Sequence, residues 1–323
     1  MTDSRLLVSL KPNPQVEASL RRHLPALPWE YVNPGTPGPW AAAEALLTSH
    51  LVRELPQWEP RLAPRLKFVQ RLWTGLDGFP FVRFPAPISV AGNVGAFAPS
   101  VSEHAVALLL CLAQALPGNH ELIRKGRMSP TVPKRELRGR TALLLGFGEI
   151  ARQVAQRLRP FGVTIDGLSR SGSPEPGVRR MFAAAALKEA LTEADFVIDC
   201  RPLTTRTTGT IDRAMLASMK PAAIYVNVGR AGVVDQEALY RHLVEQPEFR
   251  VGLDVWWNED PVHGTIANRF PFGELPNLIG SPHNADEDAD NLERSLEYAA
   301  RNLARFFEGS GPLHVADREE YPA

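Results

Sequence analysis

A glycine-rich turn between an apolar strand and a helix constrains this chain more than any other feature. Residues 141–146 (TALLLG) are almost continuously apolar, which is typical of a strand buried in a parallel sheet. The residues that end this strand and open a helical pattern are Gly146, Phe147, Gly148, Glu149, Ile150 and Ala151. In such a motif the first glycine makes a tight turn, and the second leaves room for a pyrophosphate over the helix N-terminus. The pattern therefore predicts a dinucleotide-binding turn.

Strand and helix patterns alternate on both sides of that turn. After it we predict helices at 150–158, 187–191, 213–219 and 236–244, and strands at 163–168, 196–200, 223–227, 250–255 and 278–281. Before it we predict strands at 6–10, 66–73 and 88–90, and helices at 15–24 and 41–47. This alternation is typical of α/β proteins with doubly wound parallel sheets and right-handed crossovers.

A long apolar helix is predicted at residues 100–116, between the two series of elements. Ser100 and Ser102 are candidate helix caps, and Glu103 lies three residues after Ser100, as in a capping box. The stretch 286–308 is expected to be one helix that returns to the first domain. We therefore predict a substrate domain of residues 1–99 and 286–323 and a nucleotide-binding domain of residues 100–285.

Composition excludes several classes of protein. Lys plus Arg and Asp plus Glu number 36 each, and this zero net charge argues against a general binder of nucleic acid or acidic membranes. The two cysteines, Cys111 and Cys200, are too few for a disulfide framework and are expected in the core. The longest apolar run, 105–113, is too short to span a membrane, and the first residues do not resemble a secretory signal. We expect a cytoplasmic protein.

Several segments resemble the D-isomer-specific 2-hydroxyacid dehydrogenase family over nearly the whole chain. They are LRGRTALLLGFGEIARQVAQRLRPFGV, RPLTTRTTGTIDRAMLASMKPAAIYVNVGRAGVVDQEAL, GLDVWWNEDP, SPHNA and NLARFFEGSGPLHVAD. The resemblance implies a Rossmann nucleotide domain inserted into a discontinuous, flavodoxin-like substrate domain. It implies reduction of a small 2-keto acid, such as glyoxylate or hydroxypyruvate, to the D-2-hydroxy acid with NAD(P)H. It also implies a homodimer, for which the apolar helix at 105–116 is the expected contact.

The same resemblance implies three catalytic residues: Arg230, Glu259 and His283. An arginine can bind the carboxylate of a 2-keto acid and polarise its ketone. A histidine can supply the proton, and a nearby carboxylate raises the pKa of that histidine. The residues around this set depart from the family pattern at several positions. Ala231 replaces the usual glycine after the arginine, and Asp260 separates Glu259 from the following proline. Either acid could therefore contact the histidine, although the spacing favours Glu259.

Further residues are assigned to the site by this resemblance. The backbone amides of the turn that contains Gly75 and Leu76 would bind the substrate carboxylate, together with Arg230 and His283. Asp254 would orient the nicotinamide amide, and Ala285-Asp286 alters the glycine-rich end of the histidine motif. The predicted cofactor-binding residues are Gly146, Phe147, Gly148, Glu149, Ile150, Ser169, Arg170, Ser171, Arg201, Pro202, Thr207, Val228, Gly229, Arg230, Asp254, His283 and Ala285.

The end of the second nucleotide-domain strand predicts the preferred cofactor. NAD-specific sites usually carry an acidic residue there, about twenty residues past the glycine motif, to bind the ribose hydroxyls. Here that position is Ser169, and Asp166 lies three residues too early, within the strand. Arg170 can pair with a 2′-phosphate, and Ser169 and Ser171 can add hydroxyl groups. We therefore expect NADP to be preferred, with NAD as the alternative cofactor.

Two other functions remain open from the sequence. The chain could be a non-enzymatic NAD(P)-sensing interaction protein of the same fold, although all three catalytic residues are present. It could also be a family dehydrogenase that acts on another small acid, such as formate or phosphite; Glu259 argues against formate, whose enzymes place a glutamine beside the histidine. The histidines show no metal-site spacing, so no metal is predicted. An aromatic pocket is predicted from Trp73, Phe97, Trp256 and Trp257, and His104 is expected to be a packing or subunit-contact residue.

Overall fold

The structure is a computed structural model that describes residues 5–32, 40–56, 58–129, 133–260 and 262–321. Its contacts divide the chain into two compact units. Unit 1 comprises residues 1–97 and 288–323, and unit 2 comprises residues 98–287. The boundaries predicted from the sequence lie two residues from these. Pro261, the proline after the acidic pair, is outside the described residues.

Unit 1 contains a parallel five-stranded sheet with the strand order β2-β1-β3-β4-β5. Its strands are β1 (Leu6–Val8), β2 (Trp29–Tyr31), β3 (Ala45–Thr48), β4 (Phe68–Arg71) and β5 (Ser89–Ala91). Its helices are α1 (Pro14–His23), α2 (Leu51–Glu54) and the C-terminal α9 (Asn291–Phe307). Apolar side chains of α1, α9 and one face of the sheet form a common core, which explains why the C-terminal helix returns to this unit.

Unit 2 is built on a parallel seven-stranded sheet with the order β14-β11-β10-β9-β6-β7-β8. Its strands are β6 (Thr141–Leu145), β7 (Thr164–Ser169), β8 (Arg180–Ala183), β9 (Phe196–Asp199), β10 (Ile224–Asn227), β11 (Arg250–Leu253) and β14 (Leu278–Gly280). A small antiparallel hairpin pairs β12 (Glu259–Asp260) with β13 (Thr265–Ile266). The helices are α3 (Ala98–Ala113), α4 (Leu116–Arg124), α5 (Glu149–Leu158), α6 (Leu187–Glu193), α7 (Arg213–Ser218) and α8 (Gln236–Glu245). The strand order reverses beside β6, where ligands bind in such sheets.

Several sequence predictions of local structure were wrong. The predicted helix at 41–47 is wrong: a 3-10 turn spans Trp40–Ala42, and residues 45–47 belong to the strand Ala45–Thr48, which is buried at every position. A short, mainly apolar run has no periodicity that separates strand from helix. Ser100 and Ser102 lie inside α3 and do not cap it; the Ser102 hydroxyl donates to the carbonyl of Pro99. The C-terminal helix begins at Asn291 and not at residue 286. The strands β2 and β8 were not predicted from the sequence.

The apolar helix α3 serves mainly as core of unit 2. Ala105, Leu108, Leu109 and Leu112 are buried, and a Cβ atom on Gly252 of β11 would lie only 3.2 Å from Cβ of Leu108. Among the described residues, no single helix is long and apolar enough to cross a membrane. Only α3 and α4 taken together pass that test of length and composition, and they are bent by 60° relative to each other.

Candidate active site

The predicted dinucleotide turn forms at the carboxyl end of β6. Gly146 has a φ of +78°, and a Cβ atom there would lie 2.9 Å from Cγ of Arg201, so only glycine fits. Gly148 precedes α5 and faces open space, with nothing within 4 Å of where its Cβ would be. Ala151 is fully buried where α5 packs on the sheet. The space above Gly148 and the free N–H groups of the first helical turn fit a pyrophosphate.

The carboxyl end of β7 presents hydroxyl groups and a cation. Asp166 is buried and forms an ion pair with Arg179, at 2.9 Å from Oδ1 to Nε, so its carboxylate is occupied inside the strand. Ser169 ends the strand, and its hydroxyl accepts a hydrogen bond from the N–H of Gly172 at 3.1 Å. Arg170 and Ser171 are exposed. This strand end therefore lacks the carboxylate that would repel a 2′-phosphate.

His283 and Glu259 form a close pair in unit 2. Nδ1 of His283 donates to Oε2 of Glu259 at 2.6 Å, and the other carboxylate oxygen accepts the N–H of Trp256 at 2.6 Å. The hydrogen bond that His283 donates to Glu259 raises the pKa of His283, against the opposing effects of burial and of the Arg230 charge. The N–H of Trp256 holds the Glu259 carboxylate in place, a contact that sequence reasoning missed.

Asp260 is directed elsewhere. Its carboxylate accepts the N–H groups of Val262 and His263 and contacts Nδ1 of His263 at 2.7 Å. These bonds close the turn of the β12–β13 hairpin. Of the two neighbouring acids, Glu259 is thus the one that contacts His283, as its spacing in the sequence favours.

Asp254 ties down the segment that carries His283. This buried carboxylate follows β11 and accepts the Ser281 hydroxyl at 2.6 Å and the N–H groups of Asn284 and Ala285, each at 3.2 Å. His283 itself has a φ of +55°, a conformation that costs a non-glycine residue energy and must be held by its surroundings. These bonds on both sides of His283 supply that constraint.

His104 extends this network. The single proton of the Ser281 hydroxyl goes to Asp254, so Nε2 of His104 must donate to the Ser281 oxygen, at 2.7 Å. From the sequence, His104 was expected only to be a packing or subunit-contact residue. No local pattern connects it with Ser281, which lies 177 positions away in the chain.

Arg230 follows β10 on a segment fixed by Asn227. The Asn227 side chain accepts the N–H of Gly229 and donates to the carbonyl of Arg230, both at 3.0 Å. The guanidinium is half-buried and donates to the carbonyl of Gly229 at 2.8 Å. Its positive charge is close enough to lower the pKa of His283, so the two predicted catalytic residues lie near each other.

Of the predicted aromatic pocket, Trp256 packs beside the segment that carries His283. The Trp256 indole donates to the carbonyl of Ser281 at 2.9 Å and covers Gly280, where a Cβ would lie 2.4 Å from the ring. Trp257 is partly buried and packs against the core of unit 2, where it stacks on Phe272 at 5.3 Å between ring centroids. In unit 1, Trp73 stacks on Phe97 at 5.3 Å between centroids.

The predicted substrate turn of unit 1 is held from several sides. The hydroxyl of Thr74 donates to the carbonyl of Asn93 at 3.0 Å, and the guanidinium of Arg71 donates to the carbonyl of Gly75. The Leu76 side chain is buried in the core of unit 1. Leu76 can therefore contact a ligand only through its backbone, as the resemblance implies.

Arg201, which is predicted to bind the cofactor, makes its hydrogen bonds inside the protein. Its side chain is buried, and the guanidinium binds Asp199 and Thr210. The guanidinium is thus turned into the protein and occupied by internal partners. Pro202 is exposed beside it, and the hydroxyl of Thr207 donates to the Pro202 carbonyl at 2.6 Å. Val228 is buried after β10.

Other reactive groups do not form additional clusters in the described part of the chain. No group of three or more His, Cys, Asp or Glu side chains there could hold a metal ion. Burial raises the pKa of the Cys200 thiol, so it is a poor nucleophile.

Comparison with known proteins gives these features a family. The family model for the D-isomer specific 2-hydroxyacid dehydrogenase, NAD binding domain, matches residues 106–285. The chain is 33% identical to a hydroxypyruvate reductase from Thermotoga maritima, over 71% of this chain and 74% of the relative. The chain belongs to the D-isomer specific 2-hydroxyacid dehydrogenase family. It is an oxidoreductase of the NAD(P)-dependent type.

Solved structures agree with the architecture of the enzyme. A putative formate dehydrogenase from Pyrobaculum aerophilum is 30% identical, with a TM-score of 0.81, and the match covers 98% of this chain and all of that chain. An NADPH-dependent glyoxylate/hydroxypyruvate reductase from Sinorhizobium meliloti, in complex with NADP and malonate, is 25% identical with a TM-score of 0.73; the match covers 100% of this chain and 99% of that one. The two-domain α/β fold expected from the sequence is confirmed.

Proposed function

We propose that this enzyme reduces a small 2-keto acid, of the glyoxylate or hydroxypyruvate kind, to the D-2-hydroxy acid. The observation that carries the proposal is the 2.6 Å bond between His283 and Glu259, with the charge of Arg230 close by. A proton donor and a cation beside a nucleotide-binding turn are the groups that ketone reduction requires. The names of the Thermotoga and Sinorhizobium relatives support this class of substrate.

In this mechanism the turn at Gly146 and Gly148 would hold a nicotinamide cofactor, from which C2 of the keto acid would receive a hydride. Arg230 binds the substrate carboxylate and draws electron density from the carbonyl oxygen. Nε2 of His283 gives its proton to that oxygen, which completes the alcohol. Glu259 stabilises the imidazolium before transfer and keeps Nδ1 protonated. Asp254 is proposed to accept the nicotinamide amide, and the amides of Gly75 and Leu76 to bind the substrate carboxylate.

For the cofactor we propose a preference for NADPH. Ser169 replaces the acidic residue at the end of β7, and the exposed Arg170 can pair with a 2′-phosphate. One charge-assisted contact contributes about 1.5–3 kcal/mol, or roughly 10- to 150-fold in affinity. Arg170→Ala should remove most of the preference and leave kcat/KM with NADH nearly unchanged. A wild-type enzyme that uses both cofactors equally well would contradict the assignment.

A panel of 2-keto acids assayed with NADPH and with NADH tests the proposed reaction. Turnover of glyoxylate or hydroxypyruvate is the expected result. Tight cofactor binding without turnover of any acid would favour a nucleotide-sensing protein. The panel also includes formate and phosphite as substrates for oxidation, because one structural neighbour is named a putative formate dehydrogenase. A carboxylate at Glu259 favours a charged His283, which suits a proton donor to a ketone.

A homodimer is proposed on the basis of exposed apolar residues that follow α3. Leu116, Ile123 and Met128 are 50%, 66% and 91% exposed, in or just after α4. Apolar side chains grouped in this way are typical of a surface that another chain covers. Light scattering of the purified enzyme at micromolar concentration should give the mass of two chains, and Ile123→Asp should shift it towards one. A cytoplasmic location remains a prediction from the sequence.

A further inference from the structure

A buried ion pair lies where β9 ends, between the proposed cofactor turn and the Arg230 segment. Nε and Nη2 of Arg201 donate to the two carboxylate oxygens of Asp199, at 2.9 and 2.6 Å. The side chains are only 7% and 0% exposed. The pair is therefore bidentate and almost completely removed from water.

Every acceptor position of the Asp199 carboxylate is filled. Oδ1 also accepts the N–H of Arg201 at 3.1 Å, and Oδ2 accepts the hydroxyl of Tyr225 at 3.0 Å. A carboxylate has about four such positions. Apolar residues of similar size often stabilise a fold as well as a buried ion pair does. Stability alone therefore does not explain why Asp199 and Arg201 carry charges here. A role in fixing one backbone conformation would explain them.

The backbone of Arg201 lies against two glycines of the proposed site. A Cβ atom on Gly146 would lie 3.1 Å from Cα of Arg201, and one on Gly229 would lie 2.4 Å from its carbonyl oxygen. Gly146 makes the dinucleotide turn, and Gly229 directly precedes Arg230. The position of the Arg201 backbone thus sets the spacing between the turn and the Arg230 segment.

The guanidinium also anchors the loop that follows. Nη1 of Arg201 donates to Oγ1 of Thr210 at 2.9 Å, which connects the two ends of the segment 201–210. Inside this segment, the hydroxyls of Thr207 and Thr208 donate to the carbonyls of Pro202 and Thr204, at 2.6 and 2.7 Å. Pro202 and Thr207, both predicted to contact the cofactor, are therefore on a loop with a fixed conformation.

We propose that Asp199 and Arg201 are positioning residues for the nicotinamide cofactor. The pair fixes the backbone between Gly146 and Gly229 and holds the loop 201–210, so that the cofactor turn and Arg230 keep one relative position. This inference rests on the proposed cofactor site. It replaces the expectation that Arg201 binds the cofactor directly.

The test compares Arg201→Met, Asp199→Leu and the double variant, with NADPH binding measured by fluorescence titration and folding by thermal unfolding. Each single variant leaves a buried group without its partner and should lower the unfolding midpoint, whereas the double variant should recover most of that loss. The double variant should nevertheless bind NADPH at least tenfold more weakly than the wild type. Wild-type affinity in a double variant would overturn the proposal.

Thr210→Val provides a second test that does not depend on folding of the charge variants. It keeps the ion pair, removes one anchor of the loop, and should weaken NADPH binding about three- to tenfold, as expected for one hydrogen bond. Its unfolding midpoint should fall less than that of either single charge variant, because only one hydrogen bond of the buried guanidinium is lost. Unchanged NADPH binding would again overturn the proposal. Glu237→Leu with Arg241→Met removes an exposed ion pair on α8 and is the matched control. Failure of the wild type to bind either cofactor would refute the proposed function itself.

Discussion

Replacing Glu259 by glutamine isolates the charge of one carboxylate and preserves its shape. In the wild type, one oxygen of Glu259 accepts the N–H of Trp256 and the other accepts Nδ1 of His283, each at 2.6 Å. In Glu259→Gln the amide oxygen can still accept from Trp256. Its NH2 group then faces Nδ1 of His283 and favours the neutral imidazole, because only that form offers an acceptor there.

The expected shift follows from the strength of the lost bond. A hydrogen bond to a charged group contributes about 1.5–3 kcal/mol, and the His283 side chain is 38% exposed, so solvent screening favours the lower end. About 1.4 kcal/mol corresponds to one pKa unit, so the pKa of His283 should fall by roughly one unit. Reduction needs protonated His283, and its rate declines as pH rises through that pKa. The alkaline decline should therefore move to lower pH by about one unit.

The assay is the pH dependence of kcat/KM for reduction of the best keto acid, for the wild type and Glu259→Gln. Asp260→Asn is the matched control, because the Asp260 carboxylate contacts His263 and the hairpin turn and should leave the profile unchanged. An unchanged profile in Glu259→Gln would refute the assignment of Glu259 as the partner of His283. A shift in Asp260→Asn of the same size would contradict it as well.

Three further substitutions test other parts of the site. Arg230→Ala should lower kcat/KM for the keto acid by at least tenfold, since a charge-assisted contact is worth about 1.5–3 kcal/mol; near wild-type kinetics would remove Arg230 from the mechanism. His104→Leu should lower kcat two- to tenfold, because it removes the hydrogen bond to Ser281, which is worth about 0.5–1.5 kcal/mol. His104→Gln should recover part of this loss. Equal values of kcat in the wild type and both variants would exclude this role of His104. Gly280→Ala places a Cβ 2.4 Å from the Trp256 ring. Denaturant titration should show a free energy of unfolding that is lower by about 1–3 kcal/mol. An unchanged free energy of unfolding would show that the ring moves freely.

Local sequence was enough to predict the nucleotide-binding turn and the elements around it. Gly146 is required by its own backbone, which has a positive φ, and the apolar run before it is typical of a buried strand. The candidates Arg230, Glu259 and His283 are implied by the resemblance of their motifs to the family, and those motifs are local stretches of sequence. The sequence also predicts that Asp166 lies inside a strand and not at its end, and the Asp166 side chain is buried in β7. A short, mainly apolar run does not tell a strand from a helix, as the strand Ala45–Thr48 shows.

The contacts of these side chains were decided only by tertiary structure. Glu259 and Asp260 are neighbours of the same chemistry, and the fold directs one to His283, 24 positions away, and the other to His263 in its own hairpin. Arg201 turns inward because β9 and β10 bring Asp199 and Tyr225 beside it. A sequence pattern reports only spacing along the chain, whereas hydrogen bonds depend on which strand ends meet at one edge of a sheet.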